Sequence, residues 1–155
     1  MKVVDMMMGT PYFCQPESNL GSATEMMWTG NCGFLPVVGN KGEVVGVVTD
    51  RDICIALGTR GRPSGEVTVV EVMSKTVYSC APDNDVRTAL TTMRDGRVRR
   101  LPVISKEGAL VGVISMDDIL LRADASGVSP QEIVDAFRAI NIHQLPMVVT
   151  KQAAA

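Results

Sequence analysis

The chain has 155 residues, of which 46% are hydrophobic and 21% charged, and its net charge is −2. This composition is typical of a packed globular protein and excludes a disordered chain. The net charge gives no overall positive field that could hold DNA or an anionic membrane. No stretch has the length and apolar character of a signal peptide or a membrane span. We therefore expect a cytoplasmic protein.

An internal duplication is the most informative feature of the sequence. Residues 1–57 align without a gap to residues 67–123 at an offset of 66, with about nineteen identical positions. The motif Leu35-Pro36-Val37, for example, recurs as Leu101-Pro102-Val103. A unit of this size buries a poor core alone. We therefore expect the two repeats to pack against each other in one globule.

The first repeat predicts the element order β-α-β-β-α. A short strand, Tyr12–Cys14, precedes a helix that Ser18 or Asn19 caps. Gly42 supplies the positive φ of a hairpin turn, and Gly58 is expected to stop the closing helix. The hairpin strands and the closing helix are predicted at Leu35–Val38, Val44–Thr49 and Asp50–Leu57.

The second repeat copies this plan, so the fold class is α/β (α+β) with a pseudo-two-fold pairing of tandem repeats. Its elements are predicted at Tyr78–Cys80, Asp83–Arg94, Arg100–Ile104, Leu110–Ser115 and Met116–Ala123. A linker rich in glycine, proline and charge joins the repeats. We place the domain boundaries at residues 1–63, 64–126 and 127–155.

The segment after the repeats predicts one more helix, at residues 130–140. Ser129 is a capping residue, Pro130 suits the first helical turn, and Glu132 completes a capping box. The helix carries an apolar stripe of four residues, Ile133, Val134, Phe137 and Ile140. Such a stripe either covers the core of the repeats or contacts a partner chain. The sequence slightly favours the partner.

The four cysteines, at positions 14, 32, 54 and 80, lack the spacing of metal ligands. Cys14 and Cys80 occupy equivalent repeat positions, and we expect both to be small buried hydrophobic residues. The one histidine, His143, has no cysteine or second histidine near it in the sequence. We therefore expect neither a metal site nor a catalytic histidine.

Two strand-to-helix turns carry the polar residues with the clearest chemistry. Thr49 is followed by Asp52, and Ser115 by Asp118, each pair at the spacing of a capping box. The same residues also suit a nucleotide, because a helix start favours phosphate and a carboxylate accepts bonds from two ribose hydroxyls. Capping and ligand binding do not exclude each other, so both interpretations stay open.

A glycine precedes each turn, at Gly46 and Gly112, and allows a close approach to the backbone. The resulting Gly-x-x-Thr/Ser-x-x-Asp pattern, the leucine-proline-valine strand and the gapless duplication together resemble a tandem pair of CBS domains. That family is named from cystathionine β-synthase, and the resemblance covers residues 1–125. It implies a sheet-and-helix pseudo-dimer with two clefts, which in the family often bind AMP, ADP, ATP or other adenosyl ligands.

Matched residue by residue, the resemblance implies roles for both clefts. Thr49 and Ser115 would contact phosphate, and Asp52 and Asp118 would hold the ribose hydroxyls. The base would be framed, largely by backbone groups, by the segments before the first strands: Thr10, Pro11 and Tyr12, and Thr76, Val77 and Tyr78. Because backbone and shape read the base, NAD and S-adenosylmethionine also remain possible ligands.

The two repeats differ in charge at the start of the leucine-proline-valine strand. The second has Arg99 and Arg100, whereas the first has Phe34 in register with Arg100. The arginines offer forked donors to phosphate, or else form a solvated basic edge. Which cleft they serve is not readable from the sequence. Asp50 and Asp117 could hold hydrated Mg²⁺ on a polyphosphate, or simply favour the helix dipole as exposed acids.

These features predict a regulatory module that senses an adenosine nucleotide, forms a homodimer and signals to an unknown effector protein. The alternative is a ligand-free scaffold that uses the repeats only to dimerise. An enzyme would need a nucleophile with a base, or a metal with several ligands. The sequence offers neither, so we expect no catalysis and no catalytic cofactor.

Overall fold

The computed structural model describes residues 1–142 and shows a mixed helix and strand fold built from two repeats. The first repeat contains α1 (Leu20–Thr29), β1 (Phe34–Val38), β2 (Val44–Thr49) and α2 (Asp50–Arg60). The second contains α3 (Val86–Gly96), β3 (Arg100–Ile104), β4 (Leu110–Ser115) and α4 (Met116–Leu121). Two further helices follow, α5 (Ala123–Ser126) and α6 (Pro130–Ile140), and 3-10 turns lie at Val3–Asp5, Ser64–Glu66 and Val69–Glu71. None of the helices within residues 1–142 is long and apolar enough to cross a membrane.

Local signals in the sequence explain most element boundaries. The Asn19 side chain caps α1 by accepting a hydrogen bond from the Ser22 amide at 2.9 Å. Gly42 and Gly108 have φ values of 83° and 88° in the two hairpin turns, as predicted. The predicted stop at Gly58 is wrong, because α2 continues to Arg60 and ends before Gly61, whose φ is 61°.

Four other predicted elements differ from the structure. Tyr12–Cys14 and Tyr78–Cys80 are not strands, since Cys14 and Cys80 each form a single parallel bridge to the neighbouring hairpin. Helix α3 begins at Val86 instead of Asp83, because Asp85 caps it by accepting from the Arg87 amide at 2.8 Å. The predicted helix Met116–Ala123 breaks after Leu121 into α4 and α5.

The two hairpins are separate antiparallel sheets, and each pairs with a segment from the other repeat. The Met8 amide donates to the Val113 carbonyl at 2.9 Å, and Val113 returns the bond at 3.1 Å. Ser74 and Val47 exchange the same pair of bonds at 2.9 and 3.0 Å. The start of each repeat therefore belongs to the sheet of its partner repeat.

The hydrophobic cores follow this exchange. Val3 and Met6 are buried in the core of the second repeat, while Val67 and Val69 are buried in the core of the first. A domain boundary between residues 63 and 64 separates the repeats in sequence, but each core contains residues from both sides of this boundary. The boundaries 1–63, 64–126 and 127–155 thus remain a prediction about the sequence repeats.

Helix α6 packs on α3 and covers the core of the second repeat. Ile133 and Ala136 are buried in that core, and Phe137 and Ile140 pack against it. The Glu132 carboxylate accepts from the Ser129 amide at 2.8 Å and from the Arg87 guanidinium, on α3, at 2.7 Å. These bonds, the first of them most, lower the pKa of Glu132 to about 2. The sequence interpretation that favoured a partner chain for this stripe is therefore wrong.

The close approach permitted by Gly46 and Gly112 is made by the other repeat's chain. A Cβ atom at Gly112 would lie 2.8 Å from the Met8 carbonyl oxygen, and one at Gly46 would lie 2.8 Å from the Ser74 carbonyl oxygen. Real Cβ atoms do not come this close to backbone oxygen. Glycine at these two positions is therefore required by the pairing between repeats.

Replacing Gly112 with alanine should destabilise the protein, because the methyl group would force the Met8 segment away from β4. We expect a loss of about 1–3 kcal/mol in the free energy of unfolding, measured by urea denaturation. Gly58→Ala is the control: its Cβ meets no atom within 4 Å and it lies inside α2, so it should stabilise by about 0.5–1 kcal/mol. An unchanged unfolding free energy for Gly112→Ala would contradict the proposed close contact.

Candidate functional site

A small cavity lies between the two repeats, with a volume of about 140 Å³; we call it the inter-repeat cavity. Five of the residues predicted from the sequence line it: Pro11, Tyr12, Arg100, Ser115 and Asp118. Six other lining residues were not predicted: Met8, Gly30, Asn31, Cys32, Phe34 and Val113. The cavity therefore combines the start of the first repeat with the strand-to-helix turn of the second.

The backbone pairing between repeats produces this combination. Because Met8 pairs with Val113 on β4, the chain that follows Met8 runs beside the end of that strand. Ser115 is the last residue of β4, and Asp118 lies in the first turn of α4. The segment expected to frame a base thus faces the hydroxyl and carboxylate of the other repeat.

Ser115 and Asp118 form a closed capping box. Oδ2 of Asp118 accepts from the Ser115 amide at 2.8 Å and from the Ser115 hydroxyl at 2.6 Å, while the Asp118 amide donates to that hydroxyl at 3.1 Å. Thr49 and Asp52 make the same three bonds at 2.9, 2.7 and 3.2 Å. The structural role is therefore confirmed in both repeats. Within residues 1–142, these bonds use only Oδ2 of Asp118, so Oδ1 can still accept from a ligand.

Arg100 stands at the rim of the inter-repeat cavity. It is the first residue of β3 and pairs with Ser115 on β4. Its guanidinium Nη2 lies 3.9 Å from Oδ2 of Asp117, an exposed carboxylate, so this pair contributes little to stability. Arg100 also lines a larger groove of about 570 Å³ between α1 and α2, which we call the helix groove.

The structure separates the remaining predicted acids and Arg99 from the cavity lining. Asp50 lines the helix groove, and its Oδ1 accepts from the Arg51 amide at 2.8 Å. Asp117 lies beside Arg100 but is absent from the lining, as is Arg99, whose carbonyl accepts from the Met116 amide at 2.9 Å. Of the two neighbouring arginines, the structure therefore brings only Arg100 to the cavity.

Other predicted residues lie in two further places. Thr10 lines an apolar cleft of about 490 Å³ between the two hairpins, which Pro11 shares. The pairing of Ser74 with Val47 is the counterpart, at the offset of 66, of the pairing of Met8 with Val113. The remaining predicted site residues belong to this equivalent region. They are Thr49, Asp52, Thr76, Val77 and Tyr78, of which Asp52 lines a pocket of about 200 Å³ with Arg60 and Val72. Tyr78 packs on Gly96 there as Tyr12 packs on Gly30, each glycine having space only for hydrogen.

The four cysteines fall into two environments. Cys14 and Cys80 are buried as predicted, and burial raises the pKa of each thiol to about 11. Cys32 lines both the cavity and the helix groove, and Cys54 is exposed in the groove. In the part of the chain that the structure describes, no three histidine, cysteine or acidic residues could together hold a metal ion. His143 lies outside the described residues.

Comparison with known families identifies the repeats. The family model for the CBS domain matches residues 3–59 and again residues 69–124. The chain belongs to the CBS domain family. The resemblance seen in the sequence is thereby confirmed over both repeats.

Two curated relatives of this chain are longer proteins. The chain is 35% identical over 107 residues to inosine-5′-monophosphate dehydrogenase of Methanocaldococcus jannaschii, which covers 69% of this chain and 20% of that enzyme. It is also 35% identical over 88 residues to the uncharacterized protein MK0525 of Methanopyrus kandleri, covering 57% of this chain and 45% of that protein. The CBS chain thus spans less than half the length of either relative.

Solved structures confirm the CBS-pair fold. The CBS domain pair of the protein MJ0100, in complex with 5′-methylthioadenosine and S-adenosyl-L-methionine, has a TM-score of 0.73 at 23% identity. That match covers 80% of this chain and 96% of the other. CBSX2 in complex with AMP has a TM-score of 0.68 at 21% identity, covering 79% and 95%.

The two thiol environments predict different reactivities. At pH 8 the Cys14 and Cys80 thiols, with pKa values near 11, stay protonated and shielded, whereas Cys54 is open to solvent. A disulfide reagent should therefore modify Cys54 in the folded protein and reach Cys14 and Cys80 only after unfolding in urea. Mass spectrometry of tryptic peptides identifies the modified sites. Rapid modification of either buried cysteine in the native protein would contradict the packing described above.

Proposed function

We propose that this CBS-domain chain is a regulatory module that binds an adenosine nucleotide, AMP, ADP or ATP, and signals its presence to a partner protein. The observation that carries the proposal is the inter-repeat cavity, where Tyr12, Arg100, Ser115 and Asp118 meet. The complexes of MJ0100 with adenosyl ligands and of CBSX2 with AMP support an adenosine ligand for a pair of this fold.

In this proposal, different residues of the cavity contact different parts of the nucleotide. Ribose hydroxyls donate to Oδ1 of Asp118, which the capping box does not use. The Arg100 guanidinium donates to phosphate oxygens, and such charge-assisted bonds are stronger than neutral ones. The ring of Tyr12 and the side chains of Met8 and Val113 provide apolar surface for the base.

The size of the cavity determines how much of the ligand it encloses. Pockets that bury a small molecule usually measure about 300–1,000 Å³, whereas the inter-repeat cavity measures about 140 Å³. Only part of a nucleotide is therefore enclosed, and the phosphate end extends past the rim. Because Arg100 lines both spaces, the phosphates leave the cavity towards the helix groove.

A homodimer is the partner arrangement that the surface favours. Trp28 is 87% exposed at the edge of the helix groove, whose wall is formed by Met27, Ile53 and Leu57. A two-fold contact between identical chains requires a self-complementary surface. The protruding Trp28 side chain and the helix groove beside it provide one on the same face. The matching α3 face of the second repeat is covered by α6. Dimerisation through this face without any ligand is the alternative function.

Asp118→Ala should weaken AMP binding more than tenfold, because it removes charge-assisted bonds to ribose contributing about 1.5–3 kcal/mol. Asp52→Ala is the matched control, since it deletes the equivalent carboxylate and capping box in the other repeat. Both variants lose the N3 carboxylate of a capping box but keep the N-cap hydroxyl, at a cost of about 1 kcal/mol in unfolding free energy. Isothermal titration calorimetry measures the affinities, and urea denaturation measures the shared loss of stability.

Two results would argue against the proposed site. Equal losses of affinity in the two variants would show that lost stability, not a ribose contact, weakens binding. If the unaltered protein shows no thermal shift with AMP, ADP or ATP, the ligand-free dimerisation module becomes the better interpretation, since a ligand of the native state must stabilise it.

Arg100→Met should reduce AMP affinity about tenfold, because it removes the guanidinium at the cavity rim while retaining an apolar stem of similar length. Arg99→Met is the control: it changes the net charge equally at the neighbouring residue, which does not line the cavity. Adenosine, which lacks phosphate, should bind both variants with equal affinity. A similar loss in both variants would indicate attraction by overall charge instead of a contact from Arg100.

A further inference from the structure

We propose that the inter-repeat cavity selects nucleoside monophosphates over nucleoside triphosphates; this inference rests on the proposed function and narrows its ligand class. Within residues 1–142, the lining of the cavity contains one basic side chain, that of Arg100. A single guanidinium matches one phosphate group, and additional phosphates would have to find other positive partners.

The surroundings of Arg100 supply negative charge. Asp117 lies 3.9 Å from its guanidinium, and Asp118 lines the cavity itself. Asp50 lines the helix groove, where Arg100 forms part of the wall. A β- or γ-phosphate that extends past Arg100 therefore approaches carboxylates, and like charges at such distances repel each other. AMP places its one phosphate at Arg100, whereas ATP carries two more into this acidic surface.

The other repeat carries positive charge at two positions where the cavity and the surface beside Arg100 have none. At the offset of 66, Asp117 corresponds to Arg51, and Asn31 of the cavity corresponds to Arg97. Asn31 and Arg97 both have a left-handed backbone, with φ values of 46° and 53°, so either side chain is tolerated at this position. Asn31 in the cavity lining and Asp117 beside Arg100 therefore keep the positive charge low, and the fold requires neither side chain.

The test compares AMP, ADP and ATP by calorimetry with the full chain at fixed ionic strength. EDTA is included so that divalent cations do not neutralise the phosphates. The binding step compared is the one that Asp118→Ala weakens more than tenfold. We expect AMP to bind about fivefold more tightly than ATP, the upper range for exposed charge interactions, with ADP between them.

The double substitution Asn31→Arg with Asp117→Arg gives the cavity lining and the surface beside Arg100 the residues of the other repeat. It should raise ATP affinity about tenfold or more and change AMP affinity less, which reverses the preference. The control is Asn40→Arg with Asp124→Arg, which changes the net charge by the same amount at exposed positions in a hairpin turn and in α5. This control should leave the ratio of the AMP and ATP affinities unchanged.

The outcomes separate this inference from the proposed function. ATP binding as tightly as AMP to the unaltered protein would overturn the selectivity and leave the nucleotide site intact. An equal gain of ATP affinity in the site and control variants would also overturn it, because overall charge would then be the cause. If none of the three nucleotides binds, the proposed function itself fails.

Discussion

The exchange of backbone pairs between the repeats is the interaction on which the rest of the structure depends. Met8 bonds to Val113 and Ser74 to Val47, so neither hairpin completes its sheet with residues of its own repeat. The exchange carries Val3 and Met6 into the second core and brings Tyr12 beside Ser115. Folding of the two halves is therefore one event, because each core contains residues of both. The inter-repeat cavity is a direct product of this arrangement and would be absent from an isolated repeat.

Under the proposed function, the capping box of the second repeat would share its residues with a binding site. Asp118 satisfies the amide and hydroxyl of Ser115 with one oxygen, which starts α4 in the second repeat and leaves the other oxygen free of these bonds. The box also fixes the orientation of the carboxylate before any ligand arrives. Little side-chain entropy is then lost on binding, which favours affinity. Asp52 has the same geometry, so what distinguishes the two repeats is the set of residues around each box.

Features determined by short-range sequence were predictable, and features determined by contacts between distant residues were not. The strands Arg100–Ile104 and Leu110–Ser115 agree with the prediction because the turn at Gly108 sets their register. Ser115 and Asp118 were found from their motif, but Gly30, Asn31 and Cys32 were missed because they reach the cavity from the other repeat. The identity of Gly30 with Gly96, each packed under a tyrosine, was an available signal. The apolar stripe of α6 could not reveal that α3 would cover it.

Under the proposed function, the position of Arg100 would provide a physical means of coupling a ligand to a partner chain. This side chain lines both the inter-repeat cavity and the helix groove, and it comes from the second repeat while the groove belongs to the first. A phosphate that attracts the guanidinium would change the charge beside Asp50 at the surface that exposes Trp28. A second chain in that groove would in turn restrict the positions that Arg100 can take. Such coupling is reciprocal by thermodynamic necessity and is limited by the difference in ligand affinity between the two arrangements. Because α6 already covers the corresponding surface of the second repeat, the proposed coupling would act through one face of the pair.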